Sequence, residues 1–151
     1  MKHKPEKESV LFVCTHNSAR SQMAEGILNA IGGDHYIAFS AGTEPSSVNP
    51  YAIQVMSEIG IDISAHRSKG LHEFMEKKFD YVITVCDHAN ETCPFFPGGK
   101  IRVHRSFQDP ASYKGDEAET LFDFRRIRDE IKAWIEKYFC ARRKKANSLP
   151  S

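Results

Sequence analysis

The sequence predicts an α/β fold, a single-domain three-layer sandwich in which a four-stranded parallel sheet carries helices on both faces. Short apolar runs alternate along the chain with segments whose apolar residues recur every three or four positions, the pattern of strands joined by right-handed helical crossovers. The first run, Val10 to Cys14, is continuously apolar, which is typical of a strand buried on both sides. At 151 residues the chain is about one domain. We expect that domain to span 9–140, between a flexible tail at 1–8 and a basic flexible tail at 141–151.

The first half of the chain predicts two strands and two helices. A helix follows the first strand and ends at Gly32-Gly33, because its apolar residues have helical spacing and glycine commonly ends a helix. Tyr36 to Ala41 predicts the second strand. Asn49 then offers a side-chain cap and Pro50 a preset first helical residue, so a second helix is expected to run to Gly60.

The second half predicts one short helix, two strands and one long helix. The short helix is expected at Leu71 to Lys78, followed by a strand at Tyr81 to Cys86 that is rich in β-branched residues. Lys100 to His104 predicts a weaker fourth strand. Asp116 to Phe139 has apolar residues at helical spacing and predicts a long amphipathic helix that covers one face of the sheet.

Charge balance and apolar content exclude two classes of partner. The 21 Lys and Arg against 20 Asp and Glu give no footprint for nucleic acid, and the basic run 142–145 is expected to be a solvated tail. No apolar run is long enough for a membrane span or a signal peptide, so we predict a cytoplasmic protein without membrane contact. In that compartment the four cysteines are expected to be free, catalytic or metal-binding. No cysteine pair has C-x2-C spacing and the seven histidines show no ligand spacing, so no metal site is predicted.

The loop after the first strand combines a nucleophile with an anion pocket. Cys14 precedes a helix whose positive N-terminus favours the ionised thiolate. Arg20 adds a two-pronged donor for oxyanion oxygens, and Ser21 is able to donate a hydrogen bond to the thiolate. An inert buried cysteine is the alternative, and the flanking strand, helix and serine argue against it. Backbone N–H groups that can wrap a tetrahedral oxyanion come from Thr15, His16, Asn17, Ser18, Ala19 and Arg20.

Two further residues are predicted to lie at the same sheet edge as Cys14. Cys86 ends a predicted strand, as Cys14 does, and the carboxyl ends of parallel strands meet at one edge. Asp109, before Pro110 in the loop after the fourth strand, is placed to protonate an oxygen that leaves the anion. A simple turn is the alternative for this Asp-Pro pair.

Six segments of the chain resemble the low-molecular-weight protein tyrosine phosphatase fold family, and within it the thioredoxin-coupled arsenate reductases. The C-x5-R-S loop and Asp-Pro are common to phosphatases and reductases. Cys86 and Cys93 distinguish a reductase, because hydrolysis needs neither thiol. The segments, which cover nearly all of the chain except its tails, are VCTHNSARSQMAEG at 13–26, FSAGTEP...VNPYAI at 39–53, GIDIS at 60–64, VCDHANETCP at 85–94, QDPA at 108–111 and RRIRDEIKAWI at 125–135.

The resemblance implies an arsenate reductase for arsenic detoxification with Cys14, Cys86 and Cys93 as its redox triad. Cys14 would attack arsenate held by the loop and Arg20, with Asp109 as the general acid, and Cys86 would form a disulfide with Cys14 as arsenite leaves. Cys93 would then take over that disulfide by thiol exchange, and the segment between these cysteines would rearrange to carry it outward. Reduced thioredoxin would be the electron donor, with no tightly bound cofactor. Phosphate and sulfate would compete with arsenate, and the protein would be a monomer.

Two alternatives to the reductase remain open at this point. The first is a protein tyrosine phosphatase with a Cys14 phosphoenzyme and Asp109 as general acid, and weak phosphatase activity is expected from the shared pocket in either case. Such phosphatases place tyrosines directly after Asp-Pro, whereas here Tyr113 comes later. The second alternative is an oxyanion-binding or redox-sensing module, which would bind arsenate or phosphate without turnover.

Some members of the resembled family bind potassium beside the loop. Asn17 and Glu25 match that site, but Arg67 and Lys69 place positive charge where neutral or acidic ligands are wanted. We therefore predict no potassium requirement. Cys140, past the last helix and far in sequence from the other thiols, is expected to be incidental.

Overall fold

A parallel sheet of four strands forms the centre of the computed structural model, which describes residues 7–92, 100–112 and 115–140. The strands are β1 (Glu8–Cys14), β2 (Tyr36–Gly42), β3 (Tyr81–Thr84) and β4 (Ile101–His104), in the order β2-β1-β3-β4. Every pairing is parallel, with Cys14 opposite Gly42 and Val13 opposite Thr84. The predicted four-stranded parallel α/β sheet is therefore confirmed.

Four helices connect and cover the strands: α1 (Arg20–Gly32), α2 (Pro50–Glu58), α3 (Asp87–Thr92) and α4 (Glu117–Ile135). The step from β1 to β2 and the step from β3 to β4 run in opposite directions across the sheet. Because such crossovers are right-handed, α1 and α3 fall on opposite faces. Both α1 and α2 pack against α4.

The core is centred on β1, whose residues Val10 to Val13 have no solvent exposure. This explains the continuous apolar run, since the central strand has helices on both faces. The long helix α4 adds a buried stripe at the predicted spacing, made of Leu121, Phe124, Ile127, Arg128, Ile131 and Ile135.

Side-chain caps stabilise the starts of α2 and α4. The Oδ1 atom of Asn49 accepts a hydrogen bond of 2.8 Å from the backbone N–H of Tyr51, with Pro50 as the first residue of α2. Asp116 caps α4 in the same way by accepting from the N–H of Glu119. The helix predicted to end at Gly32-Gly33 does end there.

Two predicted elements are shorter in the structure. The helix expected at Leu71 to Lys78 is only a 3₁₀ turn, Leu71–Phe74, because Phe74 is the one well-buried side chain before an exposed stretch at 75–78. The strand expected to reach Cys86 ends at Thr84. The Val85 N–H still bonds to Val13, but the Cys86 carbonyl already accepts from the N–H of Asn90 and starts a helix.

The C-terminal helix changes geometry before its predicted end. The α-helix stops at Ile135 and a π-helical turn, Glu136–Cys140, continues it, with Phe139 buried among aromatic rings. No helix within the described parts of the chain is long and apolar enough to cross a membrane. Cys93, Tyr113, the basic run 142–145 and all but the last two residues of the predicted N-terminal tail lie outside the described residues.

Candidate active site

Cys14 ends the central strand and is 2 % exposed as a free thiol. Its sulfur has two hydrogen-bond partners, one in the loop that follows and one at the start of α1. The backbone N–H of Asn17 donates to Sγ over 3.2 Å, and the Ser21 hydroxyl lies 2.8 Å from Sγ. Both partners can donate a hydrogen, which is the arrangement that an ionised sulfur would accept.

Asn17 fixes the shape of the loop. Its φ of 50° lies in the left-handed region, which asparagine tolerates better than most side chains. It is completely buried, and its Oδ1 atom accepts from Gln22 Nε2 and from the backbone N–H of Lys69, both at 2.9 Å. Its Nδ2 donates to Ser21 Oγ over 2.7 Å.

The Asn17 amide also gives a direction to the bond between Ser21 and Cys14. Because Ser21 Oγ already accepts a hydrogen from Asn17 Nδ2, its own hydrogen is free to point at the Cys14 sulfur. A serine that donates to sulfur stabilises the thiolate. The role predicted for Ser21 needs this contact, and Asn17 is the residue that orients the hydroxyl.

The carbonyl groups of the loop are turned away from the pocket. The carbonyl oxygens of Cys14, Thr15, His16 and Ser18 accept hydrogen bonds from the backbone N–H groups of Thr43, Glu44, Ser46 and Asn49, in that order, over 2.7 to 3.2 Å. With its acceptors engaged on the outside, the loop presents its N–H groups to the inside, as a nest for a tetrahedral anion requires.

Gly42, at the end of β2, permits the loop to pass close by. A Cβ atom at this position would lie 2.7 Å from the Thr15 carbonyl oxygen and 2.8 Å from the Asn17 nitrogen. Both contacts are with backbone, which cannot move aside without distorting the loop. The glycine therefore serves close approach of two chain segments.

Arg20 and Asp109 meet at the mouth of the loop. Arg20 Nη1 donates to the Phe107 carbonyl over 3.1 Å, and Nη2 lies 3.7 Å from Asp109 Oδ2. Asp109 Oδ1 accepts from the N–H of Ala111, so the Asp-Pro turn holds the carboxyl in place. A cavity of about 80 Å³ opens between them and is lined by Cys14, His16, Ser18, Ala19, Arg20, Ser46, Asp109 and Ala111.

Cys86 lies beside the same loop although its strand ends two residues earlier. It is a free thiol, 4 % exposed, with its sulfur 3.3 Å from the Thr15 hydroxyl. Thr15 directly follows Cys14, so the two thiols predicted to react with each other are on adjacent elements. Cys93 is the one predicted site residue outside the described part of the chain.

A cluster of titratable side chains, Glu25, His66 and Lys69, lies next to the residues that hold the loop. Lys69 Nζ lies 3.8 Å from Glu25 Oε1 and donates to the Arg67 carbonyl over 2.9 Å. Glu25 also accepts from Ser40 over 2.6 Å, and His66 Nδ1 is 3.4 Å from its other oxygen. Burial lowers the pKa of Lys69 from its ordinary value, while Glu25 acts in the opposite direction.

The same cluster does not fit a potassium ion. Asn17 Oδ1 is already engaged by two N–H donors, and Glu25 Oε1 by the Ser40 hydroxyl. The Lys69 ammonium supplies the positive charge beside Glu25.

Several supporting residues, Gly42 among them, were not predicted from the sequence. Gln22 is completely buried and donates to Asn17 and to the Arg67 carbonyl, while Ser46 lines the cavity from the segment after β2. The sequence points to Lys69 only as a positive charge near the potassium site, whereas its backbone N–H also donates a hydrogen bond to Asn17. A polar Gln22 beside Met23 at the start of an apolar helix was the only available signal.

Comparison with known proteins places this geometry in one family. The model of the low molecular weight phosphotyrosine protein phosphatase family matches residues 9–148. An arsenate reductase of Halalkalibacterium halodurans is 47% identical over 125 residues, which are 83% of this chain and 90% of that protein. A solved arsenate reductase in a phosphate-binding state has a TM-score of 0.77 and 34% identity, and the match covers 89% of this chain and 98% of that one.

A further solved structure carries the description of a thioredoxin-dependent enzyme. The arsenate reductase Cg_ArsC1' of Corynebacterium glutamicum matches with a TM-score of 0.68 and 28% identity, over 89% of this chain and 61% of that one. The family model spans almost the whole described part of the chain, including Cys14, Arg20 and Asp109. The chain therefore belongs to the low molecular weight phosphotyrosine protein phosphatase family.

Proposed function

We propose that this protein is an arsenate reductase that works through a thiol relay and takes its electrons from thioredoxin. The observation that carries the proposal is the position of Cys86, a second buried thiol 3.3 Å from the residue that follows Cys14. A phosphatase has no use for a second thiol there, since water completes hydrolysis. The relatives described as arsenate reductases support the choice of substrate.

In the first step the Cys14 thiolate attacks the arsenic of bound arsenate. The loop N–H groups and Arg20 neutralise the oxyanion charge, and Asp109 donates a proton to the oxygen that departs as water. A covalent Cys14–arsenic(V) adduct results. No electron has moved to arsenic at this stage.

In the second step the Cys86 thiolate attacks the sulfur of Cys14. The new S–S bond forms as the S–As bond breaks, and the electron pair of that bond goes to arsenic, which leaves as arsenite. The two cysteine sulfurs have supplied two electrons in total, so the change from arsenic(V) to arsenic(III) balances. The Thr15 hydroxyl lies 3.3 Å from the Cys86 sulfur and is able to donate a hydrogen bond to it in this step.

In the third step Cys93 attacks Cys86, which releases Cys14 and leaves a Cys86–Cys93 disulfide for thioredoxin. At 4 % exposure the Cys86 sulfur is out of reach of another protein. The segment that includes α3 must therefore rearrange. Amide hydrogen exchange over residues 86–94 tests this, because equal protection in the reduced and the oxidised protein would contradict the rearrangement.

The relay itself is tested with single cysteine variants and a matched control. Arsenate is added to protein, thioredoxin, thioredoxin reductase and NADPH, and NADPH oxidation is followed for wild type, Cys14→Ser, Cys86→Ser and Cys93→Ser. We expect all three variants to lose turnover, and Cys140→Ser, a free cysteine outside the relay, to retain it.

Hydrolysis of p-nitrophenyl phosphate by the same variants separates the two enzyme classes. The shared anion pocket supports a weak phosphatase activity, which Cys14→Ser abolishes and which Cys86→Ser and Cys93→Ser preserve. Rapid hydrolysis without arsenate-dependent NADPH oxidation in wild type would instead identify a phosphatase. Stoichiometric arsenate binding without either turnover would identify a binding module.

We further propose that the protein needs no potassium and no tightly bound cofactor, and that it acts as a cytoplasmic monomer. The Lys69 ammonium beside Glu25 supports the first point, since it places a positive charge where the ion would lie. Phosphate and sulfate are expected to compete with arsenate for the loop. Size-exclusion chromatography with light scattering tests the oligomeric state.

A further inference from the structure

Helix α3 forms the segment between Cys86 and Cys93, and side chains of β3 and β4 contact it. Six residues are too few for a helix that is stable on its own. His104 Nε2, at the end of β4, lies 2.9 Å from Asp87 Oδ1 on the first residue of α3. His104 Nδ1 lies 2.8 Å from the hydroxyl of Thr84, which in turn lies 3.3 Å from Asn90 Oδ1 in the middle of α3.

The hydrogens in this chain of contacts can be counted. The Asp87 carboxylate only accepts, so His104 Nε2 must carry a hydrogen to bond to it. Thr84 has a single hydroxyl hydrogen and two neighbours that could accept it, His104 Nδ1 and Asn90 Oδ1. Both contacts of Thr84 can be hydrogen bonds only if one neighbour donates to it.

Protonation of His104 resolves this competition. In the imidazolium form Nδ1 donates to Thr84, whose hydroxyl is then free to donate to Asn90, and the positive ring faces the Asp87 carboxylate. In the neutral form with a hydrogen on Nε2, Nδ1 accepts the Thr84 hydrogen, and Thr84 keeps a hydrogen bond to Asn90 only if that amide turns to present its NH2 group. Protonation thus adds one ion pair between the sheet and α3 and stabilises the hydrogen bond from Thr84 to Asn90 Oδ1.

We infer that His104 is a positioning residue that holds α3 more tightly when it is protonated and loosens it when it is neutral. Its consequence for catalysis rests on the proposed relay: as the pH rises through the titration of His104, the segment that must carry Cys86 outward becomes easier to release. The contacts themselves belong to the reduced protein and need no substrate.

Other charged groups around α3 also influence how firmly this helix is held. Arg102 donates to the Asn90 carbonyl over 3.2 Å and keeps its charge at all relevant pH values, and Arg105 follows His104 directly. On α3 itself, His88 lies 3.7 Å from Glu44, and Glu91 is exposed. His88 is the second imidazole near α3, and Cys86 is the neighbouring thiol.

The test is amide hydrogen exchange of α3 in the reduced, arsenate-free protein between pH 5.5 and 8, corrected for the intrinsic pH dependence of exchange. We expect protection of residues 87–92 to fall about tenfold as pH rises, the effect of about one hydrogen bond. The midpoint should coincide with the titration of the His104 ring followed by NMR. His104→Gln should remove this dependence, and His88→Gln, on the same helix, should keep it.

Thr84→Val provides a second variant that preserves the buried shape. It should lose the part of the pH dependence transmitted to Asn90 and retain the part due to the ion pair with Asp87. Constant protection in wild type, an equal slope in His104→Gln, or an unchanged slope in Thr84→Val would each overturn the inference. Arsenate reduction is measured separately, so failure here leaves the proposed relay standing, and failure of the relay leaves this measurement interpretable.

Discussion

The side-chain amide of Asn17 donates a hydrogen bond of 2.7 Å to the hydroxyl of Ser21, and that hydroxyl lies 2.8 Å from the sulfur of Cys14. Three side chains thereby form a directed chain that ends on the nucleophile. The chain begins outside the loop, because Asn17 is itself held by Gln22 and by the backbone of Lys69. The hydrogen bonds at the Cys14 sulfur thus depend on residues up to 55 positions away in sequence.

Replacement of Ser21 by alanine tests the end of this chain. A hydrogen bond to a charged group contributes about 1.5–3 kcal/mol, so Ser21→Ala should lower kcat/KM for arsenate roughly 10- to 100-fold at neutral pH. The thiolate absorbance at 240 nm should fall in parallel. Ser57→Ala, an exposed serine of α2, is the matched control and should change neither value. Full thiolate absorbance in Ser21→Ala would contradict the role of the hydroxyl.

Asp109→Asn tests the proposed general acid. The amide keeps the shape of the side chain but has no proton to give, so single-turnover formation of the Cys14 adduct should slow by about 10²–10⁴-fold. Phosphate affinity, measured by calorimetry, should change little or rise, because a negative charge 3.7 Å from Arg20 has gone. Asp129→Asn, a change at a largely exposed acid of α4, serves as the control. An unchanged single-turnover rate would rule Asp109 out.

Gly42→Ala tests the close approach of β2 to the loop. The added methyl would press on the backbone of Thr15 and Asn17, at a cost of about 1–3 kcal/mol in unfolding free energy, and phosphate binding should be lost. Gly60→Ala provides a contrasting control, since Gly60 has a φ of +79° and open space around it. That variant should lose about 1 kcal/mol through backbone strain and still bind phosphate. Normal phosphate affinity in Gly42→Ala would show that the loop can move aside.

Replacement of sodium by potassium at constant ionic strength tests the internal cation. Wild-type kcat/KM should stay the same, because Lys69 already places its ammonium beside Glu25. Lys69→Met should weaken phosphate binding several-fold by leaving the Glu25 carboxylate without that charge, while Lys78→Met, at an exposed lysine, should not. A clear rise of wild-type activity with potassium would refute the prediction.

Acid unfolding should report on Glu58, which joins α2 to α4 through Arg125 and Arg128. The hydrogen bond from Arg125, with further help from Arg128, lowers the pKa of Glu58 below its ordinary value of 4.5, although burial opposes this. Because the folded-state pKa is the lower one, the stabilisation is complete well above pH 4.5 and is lost as the pH falls through the lowered value. Glu58→Gln should therefore unfold more readily at pH 7 and show a shallower loss of stability below pH 4.5. An identical acid limb in urea titrations would contradict this.

The part of the fold that could be predicted rests on local patterns. The apolar run at Val10 to Val13, the Asn49-Pro50 cap and the spacing along α4 each specify an element within a few residues of chain. The C-x5-R-S loop could be predicted for the same reason, because its strand, donors and helix are contiguous. Its chemistry follows from neighbours in sequence.

What could not be predicted depends on contacts between distant segments. The N–H of Lys69 reaches Asn17 across 52 positions, and no local pattern marks a backbone donor. The sequence predicts the end of β3 two residues late, because β-branched residues continue through Val85 in YVITVC and only the helix that begins at Asp87 turns Cys86 out of the strand. The contact of His104 with Asp87 has the same origin, since the strand and the helix meet only in the folded chain.

All the segments that give the anion loop its shape lie between residues 14 and 69, from the strand end at Gly42 to the backbone of Lys69. Cys86 and α3, by contrast, come after residue 80. The backbone that shapes the anion loop thus comes from the first half of the chain, whereas Asp109 and Cys86, which approach the same loop, come from the second half. Changes after residue 80 can therefore alter which side chains surround the pocket without altering the segments that shape the loop.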